Sequence, residues 1–469
     1  MGLASMSGKT DLIQPDRGQM AIDIHLVGKG GFAAWAKKLS AGQRAALEGQ
    51  KFTAGGFETA IVPNGDAWFA VGGVADPQAL SSWCLAKLAE TLPAGTYRLA
   101  KDEPGPALHG WQTAQYKFER YRKPKGKDED GARILLTKDA KAIDPALAEA
   151  RAVALVRDLV NTPAEDMGPA ALEAAAEDIA KTHRAKLTVT RGDALEREFP
   201  MVYAVGRAAA REHAPRMIRL DWGKAGAPLV ALVGKGVSFD TGGLDIKPAN
   251  GMALMKKDMG GAAHVLALAG LIMGAGLNVR LLCLVPAAEN AIAGNAFRPG
   301  DVLASRAGLT VEITNTDAEG RLILGDALAL ASEEEPDLMI DFATLTGAAR
   351  IALGPDYPAL MTRGDETADA LIAAGEAHDD PLWRLPLPDA YREWLKSDIA
   401  DLVNASGNPY AGASVAGLFL DRFVAEGIDW AHIDTFAWRP AAKPGRPKGG
   451  EALGLRAAWH MIRERFAQG

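Results

Sequence analysis

Residues 313–330 read ITNTDAEGRLILGDALAL. The apolar stretch 309–313 runs into this segment, and Leu322, Leu324 and Leu328 leave it as an apolar-periodic run toward Ser332. A buried strand that passes through a turn into a helix is the repeating step of an α/β protein. The turn itself carries Asp317, Glu319 and Arg321 around Gly320. Such charges could sit on a surface turn or cap the helix, because acidic groups stabilise a helix start. Here they are tied at once to leucines that need a core, so they are held close to it.

The same alternation extends in both directions. From Met217 onward, strand-like runs (MIRLDW, PLVALVG, VRLLCLVP, LTVEIT, LMIDFATL) alternate with helix-like ones at 260–273, 322–332 and 346–353. This order predicts a mostly parallel central sheet flanked by helices. Earlier, AIDIHLVG, ETAIVP, AWFAVGG and ARILLT alternate with helix-like stretches such as 77–91, a second α/β pattern. Residues 104–130, dense in Pro, Gly and Lys, read as exposed loops. Residues 146–159 read as a helix connecting two domains, with Leu147, Ala150, Val153, Ala154 and Val156 on its apolar side. Pro169 after Gly168 opens another helix. The expectation is a smaller N-terminal α/β domain, 1–145, and a larger C-terminal catalytic α/β domain, 146–469.

At 469 residues the chain is too long for a single compact core. Hydrophobic residues make up 48% and charged residues 24%, which excludes a largely disordered chain. The formal net charge of -7 gives no general attraction to nucleic acid or an anionic membrane. Two distant cysteines, Cys84 and Cys283, support neither a disulfide framework nor a thiolate metal site, and both read as buried small hydrophobes. The first residues, MGLASMSGKTDLIQPDRGQ, contain no apolar h-region, and no uninterrupted apolar run reaches a membrane span. A cytoplasmic location is expected.

Ligands of open α/β sheets bind beyond the carboxyl ends of the strands. Lys235, Asp240 and Lys247 follow PLVALVG in GKGVSFDTGGLDIKP, and Asp258 lies in GMALMKKDMGG at the start of a helix-like run. Taken singly, Asp240 reads as a turn residue, Asp258 as a helix N-cap, and the three cations Lys235, Lys247 and Arg321 as solvated charges. Taken together, converging carboxylates repel unless a proton or cation neutralises them. Bridging carboxylates can hold two divalent ions about 3.5–4 Å apart. A lysine can join such a site only as the neutral amine, which a nearby dication favours.

VGKGVSFDTGGLDIKP, MKKDMGGAAHV and NTDAEGRL strongly resemble the leucyl aminopeptidase family of two-metal exopeptidases, the cytosol aminopeptidases, whose diagnostic octapeptide NTDAEGRL is intact at 315–322. NTPAEDMGP, ENAIAGNAFRPGD, ATLTGAARIALG and WAHID extend the resemblance over roughly 150–460, while the first domain is similar in outline, most clearly at GWQTAQYKFERYR. The resemblance implies that Asp240 and Glu319 bridge two metal ions (Mn2+ or Zn2+). Lys235 and Asp258 would complete the tighter site, and Asp317 the more exchangeable one. It implies Lys247 and Arg321 as the catalytic pair, with bicarbonate on the arginine, and a metal-bridging hydroxide that attacks the first peptide bond. Met255, Thr344 and Gly347 would line the first side chain's pocket, and Leu345 would offer a main-chain contact. An apolar, leucine-like first residue, peptide substrates with a free N-terminus, and a homohexamer are also implied.

The sequence departs from the family near its end, where GGEALGLR places Glu451 and Ala452 in a turn usually like Gly-Thr-Gly, and where FAWRPAAKPGRPK follows WAHID. Three other motifs fail: SGKT at 7–10 follows no strand, GASVA around Ser414 lacks a histidine partner, and the eight histidines form no HExxH. An alternative from another class is a family member with a mainly non-catalytic DNA-binding role, against which the acidic charge argues.

Overall fold

The computed structural model describes residues 11–123 and 131–466. SGKT at 7–10 and most of the lysine-rich stretch at 124–130 lie outside the described residues. The chain divides into two compact units, one of residues 11–154 with 441–448, the other of 155–440 with 449–466. The division falls inside the helix Ile143–Asn161, whose Leu147, Ala150, Val153, Ala154 and Val156 are all buried.

In the first unit β1 (Ile13–Pro15), β2 (Ile22–Val27), β3 (Thr59–Asn64), β4 (Ala67–Gly73), β5 (Gly95–Leu99) and β6 (Arg133–Thr137) form one sheet in the order β1-β6-β5-β2-β4-β3. Only the β3–β4 hairpin is antiparallel. Two expectations fail here. Helix forms over Ala86–Thr91 alone, and the rest of 77–91 is mostly turn, where Ser81 closes on the Cys84 thiol at 3.2 Å. Cys84 is accordingly only half-buried. The stretch expected as loops contains the helix Ala107–Thr113, buried throughout, with the Trp111 indole N–H donating to the Arg133 carbonyl at 2.8 Å. Tryptophan and leucine in that segment supply a core face that its Pro and Gly neighbours conceal.

In the second unit β7 (Lys186–Arg191), β8 (Arg216–Trp222), β9 (Leu229–Gly234), β10 (Gly236–Asp240) and β11 (Arg280–Asn290) precede β12 (Val302–Ala304) and β13 (Thr310–Glu312). β14 (Leu338–Ala343), β15 (Ala359–Thr362), β16 (Trp383–Arg384), β17 (Leu402–Val403) and β18 (Trp430–Asp434) follow. The large sheet runs β16-β15-β18-β14-β9-β11-β8-β7, with β10 also on β11. Its centre, β18-β14-β9-β11, is parallel, whereas β15 is antiparallel to β18 though parallel to β16, and β8 is antiparallel to both β11 and β7. LTVEIT does not join it: β13 pairs with β12 and β17 in a separate small sheet.

Val230 to Val233 and all of Leu338–Ala343 are buried, as a strand covered on both faces requires. The helix Gly260–Ala275, apolar on nearly all sides, packs on β9 and β14, and Glu319–Glu333 packs on β9 and β11. Among the described residues, Met255–Ala275 is one helical stretch long and apolar enough to cross a membrane, but 83% of its apolar window is buried inside the protein. It is a core helix, and its N-terminal end faces the carboxyl ends of the central strands.

Candidate active site

Lys235 follows β9 directly and Asp240 ends β10, so the central strands carry both to one edge. Asp258 lies in the 3-10 turn Met255–Met259, and the helix behind it is capped by Met259 with no side-chain hydrogen bond. The N-cap reading of Asp258 is therefore wrong. Glu319 is the first residue of its own helix, behind Ala318, which caps nothing with its side chain. Neither Asp317 nor Glu319 serves as a cap.

The five residues converge. Lys235 Nζ lies 2.7 Å from Asp258 Oδ2 and 3.0 Å from Glu319 Oε1, and donates to the Thr344 carbonyl at 3.2 Å. Lys247 Nζ lies 2.9 Å from Asp240 Oδ2 and contacts Asp317 Oδ1. One oxygen each from Asp240, Asp317 and Glu319 lies within 4.8 Å of the others, an arrangement able to hold a metal ion. Asp258 stands beyond Lys235, joined to the group through that ammonium.

Lys235, Asp240, Asp258 and Glu319 are each no more than 3% exposed. Both Glu319 oxygens, Asp258 Oδ2 and Asp317 Oδ1 nevertheless accept no aligned hydrogen bond, since the lysines approach them at ion-pair distance only. Leaving buried charged acceptors unbonded is costly. Burial, reinforced by Asp240, pushes the Glu319 carboxyl up to about 8 and Asp317 up to about 6. Lys235 also moves up: burial opposes its charge, but Asp258, Glu319 and Asp240 outweigh burial. Both shifts are upward, which favours the lysine's charge and disfavours the glutamate's, and the surplus of carboxylates over lysines explains both. Four carboxylates against two lysines leave the cluster two positive charges short, which a proton makes up only in part and a divalent cation supplies well.

Surrounding groups fix the carboxylates. Asp240 Oδ1 accepts from the Gly242 N–H at 2.8 Å and from Asn290 Nδ2 at 2.9 Å. Thr344 Oγ1 donates to Asp258 Oδ1 at 2.8 Å. Asp434, at the end of β18, accepts from the N–H groups of Leu345 and Thr346 and from the Thr346 hydroxyl, holding the turn after β14. Gly320 lets a neighbour approach, but the neighbour is the Lys235 side chain rather than backbone: a Cβ at 320 would lie 2.4 Å from Lys235 Cε. Asn290, Asp434 and Asn404 escaped the sequence reading, because nothing local in sequence marks a residue that acts on a carboxylate or arginine from a distant segment.

Arg321 donates Nη1 to the Asn404 carbonyl at 2.7 Å, while its buried Nε has no hydrogen-bond partner among the described residues and burial lowers the group to about 10. A cavity of about 490 Å3 joins these groups. Lys235, Asp240, Lys247, Asp258, Asp317 and Arg321 line it, together with Met255, Thr344, Leu345 and Gly347. Ser414, in the discarded GASVA motif, is buried in the helix Gly412–Asp421.

The description "Cytosol aminopeptidase family, catalytic domain" matches residues 154–458. The chain belongs to the cytosol aminopeptidase family. Its first unit agrees, since "M17 aminopeptidase, N-terminal domain" matches 22–136. A probable cytosol aminopeptidase of Syntrophotalea carbinolica is 42% identical over 375 residues, 76% of this chain and 74% of that protein. Among solved structures, the cytosol aminopeptidase of Coxiella burnetii has a TM-score of 0.92 and 46% identity, covering 97% of this chain and 100% of its own. The bottromycin maturation enzyme BotP in complex with Mn has a TM-score of 0.85 and 33% identity over 95% of this chain and 100% of its own. The protein is a metal-dependent aminopeptidase, and no comparison supports a mainly DNA-binding role.

Proposed function

We propose that Asp240, Asp258, Asp317 and Glu319, with Lys235 as a neutral amine, hold two divalent ions, Mn2+ or Zn2+, at which N-terminal amino acids are released from peptides. One observation carries this reading: buried carboxylate oxygens of Glu319 and Asp317 converge with Asp240, and these oxygens and Asp258 Oδ2 across Lys235 accept no aligned hydrogen bond. Manganese in the BotP complex favours the same class of ion. When bound, the ions supply an acidified water and a Lewis acid for the carbonyl, with bicarbonate as proton shuttle.

The chain's own groups do the rest. Asn290 and the Gly242 N–H hold Asp240 so that its second oxygen faces the cluster. Lys247, released from Asp240 and Asp317, presents an ammonium to the carbonyl oxygen as it gains charge. Arg321, anchored on Asn404, offers its remaining fork to a carboxylate-shaped anion such as bicarbonate. The Leu345 N–H is committed to Asp434, so its main-chain contact to substrate is made by the carbonyl. Met255, Thr344 and Gly347 border the space for the first side chain. We place the protein in the cytoplasm as a homohexamer, following the family resemblance.

Leucine p-nitroanilide and its N-acetyl derivative test the reading. The free amine is hydrolysed, activity is lost on prolonged chelation, and Mn2+ or Zn2+ restores it. Cleavage of the acetylated compound, or indifference to chelation, would overturn it.

A further inference from the structure

The cavity has a basic wall beside the carboxylate cluster. Phe436, half-buried in the segment that departs from the family after WAHID, carries Lys257 Nζ 5.4 Å from its ring centre and Arg350 Cζ 5.0 Å from it. All three residues line the cavity. Lys257 is 5% exposed, and among the described residues its ammonium makes no hydrogen bond, only a long 3.7 Å ion pair with Asp258 Oδ1. That oxygen already accepts the Thr344 hydroxyl. Arg350, exposed at the cavity's edge, has no ion pair among the described residues. The two acids nearest this wall cannot compensate it: Asp258 is held by Lys235 and Thr344, and Asp434 by Leu345 and Thr346.

An ammonium that reaches the cavity with no hydrogen-bond acceptor among the described residues and a guanidinium with no ion pair among them, both against one aromatic face, form a receptor for an anion. Its position selects the anion. Lys257 shares the 3-10 turn Met255–Met259 with Met255, and its approach to Asp258 brings it beside Thr344. Met255 and Thr344 border the space assigned to the first side chain. We propose that this pocket takes peptides whose N-terminal residue is acidic, glutamate above all, with the side-chain carboxylate between Lys257 and Arg350 over Phe436. This rests on the aminopeptidase reading of the site and revises the apolar, leucine-like preference implied by the resemblance.

The test compares kcat/KM for glutamate, glutamine and leucine p-nitroanilides on the metal-loaded protein. Glutamate and glutamine differ in charge but scarcely in size, so their ratio isolates the carboxylate. Glutamate is expected to exceed glutamine by about tenfold, the worth of a charge-assisted hydrogen bond. Arg350→Glu, at an exposed position that tolerates the change, should bring the ratio to one or below, and Lys257→Met should lower it likewise. A second readout is thermal stabilisation, expected to be larger with free L-glutamate than with L-glutamine and to lose that difference in Arg350→Glu. If glutamine and leucine compounds are cleaved but glutamate is no better than glutamine, the acidic pocket is refuted and the aminopeptidase reading stands. If no amino-acid p-nitroanilide is cleaved, both fall.

Discussion

Glu319 and Glu451 are buried carboxylates in the same unit, each at most 1% exposed, yet their surroundings are finished differently. Glu451 Oε1 accepts from Arg157 at 3.0 Å and 3.1 Å and from the Ala452 N–H at 3.1 Å, and Oε2 accepts from Arg439 at 3.3 Å. Arg439 in turn reaches Asp356 at 2.6 Å. Glu319 has a lysine 3.0 Å away and no hydrogen bond on either oxygen. A buried charge that serves architecture is saturated by the chain, whereas one that serves a ligand is left short of partners. The Glu451 network also explains a departure from the family: the glutamate in GGEALGLR is a counter-ion for two buried arginines.

Neutralising the two glutamates should therefore have opposite consequences. Glu319→Gln is expected to lower kcat/KM for leucine p-nitroanilide on the order of a thousandfold, since even groups one step behind a metal ligand cost about 10–100-fold. The metal-free protein should lose no stability in urea, because the carboxylate removed had no hydrogen bond. Glu451→Gln should instead destabilise the fold by about 3–5 kcal/mol, the cost of stranding buried charges, as read from urea unfolding. Equal destabilisation by both substitutions would break the comparison.

His264 is finished like Glu451. Its Nδ1 donates to the Gly260 carbonyl at 2.7 Å and its Nε2 accepts the Leu453 N–H at 3.0 Å, and the second bond requires the neutral ring. Burial drives its pKa down to about 4. A folded value below the unfolded one means that the contribution is fully present above about pH 6.5 and is lost as pH falls toward 4. The loss should reach up to about 3 kcal/mol, and the unfolding free energy of His264→Phe should show a correspondingly shallower slope over that window. The smallest expected effect is that of Gly320→Ala. The new Cβ displaces Lys235, lowering kcat/KM by about tenfold, as a modest misplacement of a catalytic group does.

The central sheet was legible because β9, β11 and β14 are continuous apolar runs, and the charges that follow β9 and precede the helix Glu319–Glu333 marked the site's edge. The antiparallel edge pairings were not, since Arg216–Trp222 and Lys186–Arg191 have no sequence feature that fixes strand direction. LTVEIT looked like another central strand, but only Val311 and Ile313 within it are fully buried, which suits a small lateral sheet. In the first unit, Trp111 and Leu108 sit among prolines and glycines whose turn signal hid a core helix. At the site, the residues carrying charge were visible one by one, and three segments with matching spacing singled them out. Asn290, Asp434 and the pairing of Lys257 with Arg350 across Phe436 depend on segments far apart in sequence, which only the fold brings together.

Anomalous diffraction from crystals of the wild-type protein soaked in Mn2+ tests the central claim most directly. Two peaks are predicted among Asp240, Asp258, Asp317 and Glu319, with Lys235 Nζ turned to one of them and both peaks lost in Glu319→Gln. Crystals of active enzyme with no peak among those four carboxylates, or with undiminished peaks in Glu319→Gln, would contradict the account.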